Sequence, residues 1–416
     1  MPTRSDVQDE PAPDPFVEAA GAIAGQLRAH ARPVRSGGVV WLAPEQPERA
    51  AGAPPAVLGP HLYDGTVGIA LFLAAVDRVR GGTENRELVL QAVSPLRRLL
   101  GELARDPERA RGTRLGIGGL AGLGSFLYGL ARVAEWTGDE ALAGELGAAT
   151  VLFTPDRLRA DEQLDVVAGA AGAILALLAL ERVAPGAPAA EIATACAAHL
   201  LARRVSRQGG PRAWPGPGHP PLSGFAHGAS GIACALLRLY ARTGDEGLRD
   251  AALEGFAYER SLFDAGAENW LDPRFGHLLE QSAWCHGAPG ILLARLEAVR
   301  AGAGEDEVLG DLALTLRLTW ALPVISLDHL CCGNLGRAEI LLCAHRVVGG
   351  GELLAGARTL AGQVVQRAGE SGGFALHPPG EPAAFTPGLF RGVAGIGYAL
   401  LRLASPESLP SPLLME

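Results

Sequence analysis

Two kinds of hydrophobic pattern alternate along the chain. Short segments that are almost wholly apolar, such as residues 69–75, 173–180 and 291–294, are typical of helices buried on all sides. Longer segments, such as residues 84–103 and 352–367, are amphipathic and carry the charged side chains. The β-branched alternation that marks strands is short and scattered. The pattern therefore predicts an all-α protein in which buried inner helices alternate with amphipathic outer helices.

A Gly-x-x-Gly motif comes before each apolar segment and repeats seven times, with its first glycines 54, 50, 59, 59, 46 and 59 residues apart. These first glycines are Gly65, Gly119, Gly169, Gly228, Gly287, Gly333 and Gly392. Each interval has room for two helices, so seven pairs could form an open solenoid or a closed ring. The last repeat is as apolar as the middle ones and has no polar cap, which favours closure. We therefore expect an α/α toroid of seven inner and seven outer helices.

The repeats also predict how the chain is divided. Length alone would suggest two or three domains, but internal repetition argues for one. We expect the toroid to occupy residues 51–405, after a partly flexible N-terminal extension over residues 1–50. Residues 406–416 are expected to form a C-terminal tail, and the Pro/Gly-rich residues 216–221 a loop.

Composition excludes several functions. All 36 basic residues are arginine, so phosphate-loop and Schiff-base lysine chemistry is absent. The net charge of -9 argues against a nucleic-acid partner. We expect no membrane span, because no stretch of 18 apolar residues is free of charge or glycine breaks. The six cysteines are too few for a disulfide framework, and a cytoplasmic location is expected.

Three cysteines stand at equivalent positions of the repeat motif. Cys285 and Cys331 both lie two residues before the first glycine, in adjacent repeats, and Cys332 follows directly. In a ring, equivalent positions of neighbouring repeats lie close together, since packed helices are only about 8–10 Å apart. Three protein ligands with an open fourth position are the arrangement of a catalytic zinc site. Helix N-termini further favour thiolate over thiol.

Other residues leave alternatives to this ligand set. His286 and His329 are near enough in sequence to replace Cys332 as the third ligand. A further reading is that cysteines are ordinary small buried residues. That reading fits the remaining three well: Cys196, Cys234 and Cys343.

Acid–base candidates come from the same repeat positions. His227 precedes Gly228 and has no cysteine nearby, so we interpret it as a general acid or base. Asp165, taken alone, fits a helix cap or loop turn better than a catalytic role. Asp64 and Arg391, in the first and last repeats, are expected to form a salt bridge that closes the ring. Trp214 could line a substrate groove or simply pack.

Five motifs resemble those of the lanthionine synthetase C-like (lanthipeptide cyclase) family. They are Leu-Tyr-Asp-Gly-Thr-Val-Gly-Ile-Ala at 62–70, Gly-Phe-Ala-His-Gly-Ala-Ser-Gly-Ile at 224–232, Ser-Ala-Trp-Cys-His-Gly-Ala-Pro-Gly at 282–290, Leu-Cys-Cys-Gly-Asn-Leu-Gly at 330–336 and Leu-Phe-Arg-Gly-Val-Ala-Gly-Ile-Gly at 389–397. The resemblance runs from about Leu58 to Leu403. It implies a toroid of seven inner and seven outer helices with one catalytic zinc ion per chain.

The resemblance also implies roles for individual residues. Cys285 and Cys331 would bind zinc, with Cys332 at a position where many single-function cyclases have histidine. An all-cysteine set is similar to the cyclase domains of bifunctional class II synthetases. His227 and Asp165 match the family's active-site histidine and aspartate. Gln281 stands where some cyclases have an arginine.

The function implied is formation of (methyl)lanthionine thioether rings. A cysteine thiolate of a dehydrated precursor peptide would add to a dehydroalanine or dehydrobutyrine of the same peptide. A dehydratase, separate or fused, is the implied partner. Alternatives are a non-catalytic zinc scaffold that binds a modified peptide or a dehydratase, and addition of glutathione to dehydrated residues. A prenyltransferase-like function is disfavoured by the 5% aromatic content and the absence of lysine.

Overall fold

Helices dominate the computed structural model, which describes residues 14–35, 37–43, 56–207, 209–381 and 384–416. In this part of the chain the helices are α1 Pro15–His30, α2 Thr66–Arg80, α3 Arg86–Arg105, α4 Pro107–Arg111, α5 Leu123–Thr137, α6 Glu140–Ala149, α7 Pro155–Arg159, α8 Ala170–Glu181, α9 Ala189–Ala202, α10 Ala229–Thr243, α11 Glu246–Ser261, α12 Ala288–Arg300, α13 Asp306–Ala321, α14 Asn334–Val348, α15 Gly351–Ser371 and α16 Val393–Ala404. A short 3₁₀ helix spans Thr150–Leu152.

The strands are short and lie between the helices. They are β1 Arg32–Pro33, β2 Val39–Val40, β3 Val205–Ser206, β4 Arg212–Ala213, β5 Phe263–Asp264, β6 Asn269–Asp272 and β7 His277–Leu278. All pairings are antiparallel, in the orders β1–β2, β3–β4 and β5–β6–β7. The protein is therefore all-α in its core, as the hydrophobic pattern predicts.

Seven helices form a closed inner ring. They are α2, α5, α8, α10, α12, α14 and α16, and each contacts the next in chain order. α16 also contacts α2, so the ring closes. Most side chains of these helices are buried; in α8, for example, only two of the 12 residues have any appreciable exposure. Burial on all sides explains why their sequences are apolar throughout.

The outer helices pack on the ring, and one of them is out of chain order. α3, α6, α9, α11, α13 and α15 each pack on the inner helix that precedes them, while α1 packs on α16. α1 lies within residues 1–50, which the repeat pattern predicts to be an N-terminal extension. It joins the ring because its apolar face, including Ile23 and Leu27, is buried. Residues 1–50 are also predicted to be partly flexible. Residues 1–13 and 44–50 of this segment lie outside the described residues.

The second repeat differs from the register expected for it. In the other six repeats the first glycine of the motif is the residue before the helix. In the second repeat that residue is Gly122, and α5 begins one turn later than the Gly119 alignment implies. Gly122 has a φ of 154°, a conformation that favours glycine.

Loops before the inner helices join one another at one end of the ring, which we call the mouth. The Phe390 N–H donates to the Tyr63 carbonyl (2.8 Å), and the Cys331 N–H donates to the Phe390 carbonyl (2.9 Å). Similar backbone bonds link the loops before α2, α5, α8 and α10. Among the described residues, no backbone hydrogen bond joins the loop before α12 to the loop before α10 or to the loop before α14. The loop before α12 carries Cys285, and the loop before α14 carries Cys331 and Cys332.

The opposite end of the ring, which we call the floor, is filled by residues 405–416. Leu409, Leu413 and Leu414 are buried, although the segment was expected to be a tail. The Trp284 indole N–H donates to the Leu413 carbonyl (3.3 Å), so the segment reaches up beneath the Cys285 loop. None of the helices in the described part of the chain combines the length and apolar character needed to cross a bilayer.

Candidate active site

Glycine positions the cysteine loops over the helix N-termini. A Cβ added at Gly290 would overlap the Trp284 carbonyl oxygen, and one added at Gly336 would overlap the Leu330 carbonyl oxygen. Each loop can therefore fold back onto its helix only because the second glycine of the motif lacks a side chain. This approach holds Cys285 and Cys331, one residue further on, at the start of α12 and α14.

The three predicted thiols meet at the mouth and form what we call the thiol cluster: Cys285, Cys331 and Cys332. The Sγ atom of Cys332 lies 3.4 Å from that of Cys285 and 3.2 Å from that of Cys331. All three sulfur atoms lie within 4.8 Å of one another, and no histidine nitrogen joins this set among the described residues. Residues from two neighbouring repeats, 46 positions apart in sequence, thus form one group that could hold a metal ion.

The three thiols shift one another's pKa values through hydrogen bonds. Hydrogen bonds with the Cys285 and Cys331 thiols lower the pKa of Cys332 to about 3, and His329 and Arg391 contribute in the same direction. Hydrogen bonds with Cys285 and Cys332, together with burial, raise the pKa of Cys331. A sulfur-only donor set with thiolate character suits zinc, which binds cysteine sulfur in many proteins. The residues present therefore fit a zinc ion.

Gln281 links the two cysteine loops. Its side-chain amide donates to the Cys332 carbonyl (3.1 Å), across a junction where the described residues form no backbone hydrogen bond. Gln281, which stands where some cyclases have arginine, thus contacts the thiol cluster through the backbone carbonyl of Cys332. His329 also has a hydrogen-bond partner, because its Nδ1 accepts a hydrogen bond from the Cys332 N–H (3.3 Å). Burial lowers the pKa of His329.

His227 and Asp165 form a hydrogen-bonded dyad. Nδ1 of His227 lies 2.6 Å from Oδ2 of Asp165, whose side chain is 5% exposed. The other carboxylate oxygen accepts the Ala168 N–H (2.7 Å), so Asp165 also serves the loop-turn role that its sequence alone favours. The His227 side chain is 43% exposed, and its Nε2 has no hydrogen-bond partner among the described residues.

The dyad and the thiol cluster share the mouth. The loop before α10, which carries His227, packs on the cysteine loop: a Cβ at Gly224 would lie 2.6 Å from the Cys285 carbonyl oxygen. The rings of His227 and His286 are 6.2 Å apart between centroids, and His286 follows Cys285 directly. Burial lowers the pKa of His286. A substrate at the mouth could therefore meet sulfur ligands and an imidazole together.

The expected Asp64–Arg391 salt bridge is not formed. Asp64 accepts a hydrogen bond from the backbone N–H of Arg391 (3.2 Å) instead, and the guanidinium makes no ion pair among the described residues. The exposed Arg391 side chain contributes positive charge near Cys332. Burial and the neighbouring Cys331 raise the pKa of Tyr63, which lies two residues before the first glycine of the first repeat.

The remaining candidates are structural. Trp214 is 3% exposed and its indole N–H donates to the Leu200 carbonyl (2.9 Å), so it packs and does not line the mouth. The other three cysteines are buried, as the alternative reading of small apolar residues requires: Cys196, Cys234 and Cys343.

Comparisons with known proteins identify a family and a solved structure of similar fold. The model of the family described as "Lanthionine synthetase C-like protein" matches residues 56–414. Among solved structures, nisin cyclase superposes with a TM-score of 0.63 at 14% identity over 96% of each chain, which supports the toroid fold. A GH76 α-mannanase from Bacteroides thetaiotaomicron gives 0.48 at 9% identity, covering 94% of this chain and 96% of its own. An unsaturated glucuronyl hydrolase specific for heparin gives 0.46 at 14% identity, with the same coverages.

Proposed function

The chain belongs to the lanthionine synthetase C-like family, and from this premise we propose that it is a zinc-dependent lanthipeptide cyclase. Its reaction would be the intramolecular addition of a peptide cysteine to dehydroalanine or dehydrobutyrine. The observation that carries the proposal is the convergence of three sulfur atoms from two neighbouring repeats. The nearby His227–Asp165 dyad supports it.

The thiol cluster would hold one zinc ion per chain. When bound, zinc stabilises a substrate thiol as thiolate at neutral pH. Because no histidine joins the cluster among the described residues, the donor set favours an open fourth position over the closed site of a scaffold. Gln281 would keep the two cysteine loops in register.

The dyad would manage the proton. Addition forms a C–S bond at the β-carbon and shifts the double-bond electrons toward the carbonyl oxygen, and Cα then takes a proton. Overall, the thiol loses one proton and Cα gains one. Asp165 accepts the Nδ1 hydrogen of His227, which leaves Nε2 to deliver the proton and stabilises the imidazolium.

The substrate would be a dehydrated precursor peptide, made by a separate or fused dehydratase. A dehydrated residue is an electrophile only after water has been eliminated from Ser or Thr, so an eliminating enzyme must act first. A cytoplasmic location stays a prediction from the cysteine content.

Metal analysis and a cyclisation assay test the proposal together. The assay peptide carries one dehydroalanine and one cysteine, and ring closure is measured as loss of alkylatable thiol. Wild type should contain one zinc ion per chain and close the ring, whereas Cys285→Ala should do neither. Cys196→Ala, a buried cysteine outside the cluster, is the matched control. Rapid closure by zinc-free Cys285→Ala would refute the proposal.

Two other outcomes identify the alternatives. Zinc binding with ring closure no faster than in buffer would indicate a scaffold. A glutathione adduct on a dehydroalanine peptide that lacks cysteine, formed faster than in buffer, would indicate glutathione addition.

A further inference from the structure

A small cavity of about 210 Å³ opens beside the thiol cluster. Cys332 forms part of its wall, and the rest comes from residues 280–284, 289, 322, 323, 325, 333, 334 and 337. All of these belong to the repeats of α12 and α14. The His227–Asp165 dyad belongs to the two preceding repeats, so the dyad and the cavity approach the sulfur atoms from different parts of the ring.

Apart from the exposed Glu280, the polar side chains in the cavity wall have hydrogen-bond partners. The Asn334 amide donates to the Ile325 carbonyl (2.8 Å) and accepts the Ile325 N–H (3.0 Å). The Arg337 guanidinium donates to the carbonyls of Leu322 and Pro323. Gln281 donates to the Cys332 carbonyl. A ligand that filled the cavity would gain few new hydrogen bonds from these groups.

What the wall offers a ligand is mainly apolar surface. Its apolar members are Ala283, Trp284, Pro289, Leu322, Pro323 and Ile325. Trp284 is fixed by its hydrogen bond to the Leu413 carbonyl beneath it, and Glu280 is exposed. The chemistry of the wall therefore selects an aliphatic or aromatic side chain.

We propose that this cavity binds an apolar side chain of the substrate peptide, one or two residues from the cysteine that forms the ring. This inference rests on the proposed function. A substrate thiol that reaches the cluster lies next to Cys332, which is itself in the cavity wall. Consecutive Cα atoms are about 3.8 Å apart, so a residue one or two positions away reaches the cavity. The cavity thus gives the enzyme a preference for sequence around the cysteine.

A set of synthetic peptides tests the inference. Each carries one dehydroalanine and one cysteine, with glycine around the cysteine except for a leucine at position −2, −1, +1 or +2. At one of these positions leucine should raise kcat/KM by roughly tenfold or more over the all-glycine peptide, since one methylene in an apolar pocket is already worth about 10–200-fold. Equal values for all the peptides would overturn the inference.

Matched variants locate the preference. Leu322→Trp fills the cavity and should lower kcat/KM for the leucine peptide to the value that the same variant has for the all-glycine peptide. Val324→Trp is the control, because Val324 is 47% exposed on the same loop and outside the cavity wall. If Leu322→Trp fails to fold, Ile325→Ala enlarges the cavity and should shift the preference from leucine toward phenylalanine. A leucine advantage that survives either cavity variant unaltered would overturn the assignment.

Binding and metal measurements separate this inference from the proposed function. The Kd of an unreactive peptide, with alanine in place of dehydroalanine, should rise with Leu322→Trp and not with Val324→Trp. Zinc content should be the same in all variants. If no peptide is cyclised by wild type at all, the proposed function fails; if peptides are cyclised without side-chain preference, only the cavity assignment fails.

Discussion

The mouth and the floor of the ring are built from the same seven helices, yet they treat charge in opposite ways. At the floor, Arg402 and Glu339 are both fully buried and paired at 2.8 Å. At the mouth, three sulfur atoms crowd together, and the exposed His227 has one ring nitrogen without a partner among the described residues. Buried charges that pair with each other have no free group to bind a ligand. The sulfur atoms and the His227 ring nitrogen at the mouth are available to bind one.

The cysteines show the same contrast within one residue type. Cys343, at the floor, has its pKa raised by burial and by Glu339, so it stays a thiol. At the mouth, hydrogen bonds with Cys285 and Cys331 lower the pKa of Cys332, while the pKa values of those two thiols are raised. Position in the repeat, and not the residue type, separates a packing cysteine from a candidate ligand.

Serine substitution at both ends should give the largest difference. Cys331→Ser replaces a soft sulfur donor at the mouth, so zinc should be lost and the rate of cyclisation should fall by more than about 100-fold. This loss exceeds the one usually seen for residues that hydrogen-bond to metal ligands. Cys343→Ser makes the same change at the floor and should keep zinc and activity. Metal content and ring closure measure both. Zinc loss from both variants would abolish the distinction between the two ends.

The dyad should affect proton transfer and not the metal. His227→Gln removes the acid, so ring closure should slow by roughly 10²–10⁴-fold with zinc retained. Asp165→Asn should slow it in the same way, with little further loss in the double variant, because the two residues act as a unit. Single-turnover ring closure and metal analysis are the measurements. A double variant that shows the product of the two single effects would contradict joint action.

Arg402→Met should destabilise the fold at the floor. It leaves Glu339 buried without its cation, and loss of one partner of a buried pair typically costs about 3–5 kcal/mol in the free energy of unfolding. Arg111→Gln, in an exposed pair with Glu108, is the control and should change that free energy by less than about 1 kcal/mol. Urea unfolding compares them. Equal destabilisation by the two would show that the floor pair has no special weight.

Sequence patterns predicted the ring and the meeting of the thiols, because both follow from repetition. Cys285 and Cys331 share a repeat position, and a closed ring makes such positions neighbours. The role of α1 was missed because its partner α16 lies at the other end of the chain, so no local pattern pairs them. The burial of residues 406–416 was missed for the same reason. The second repeat was misaligned because glycines crowd residues 116–124 and several registers fit equally well.

The acid sensitivity of the floor should be the smallest of these effects. Burial alone would raise the pKa of Glu416, but Arg238 and Arg402 outweigh it and lower the pKa to about 2. A lowered carboxyl pKa stabilises the fold above the unfolded value of 4.5, and this stability is lost as pH falls from 4.5 toward 2. At about 1.4 kcal/mol per pKa unit, roughly 3 kcal/mol is involved. The free energy of unfolding of the metal-free protein, measured from pH 6 downward, should therefore fall more steeply for wild type than for Glu416→Gln. Metal-free protein is used because acid would also release zinc at the mouth. Parallel curves for the two proteins would mean that the charges around Glu416 do not stabilise the floor.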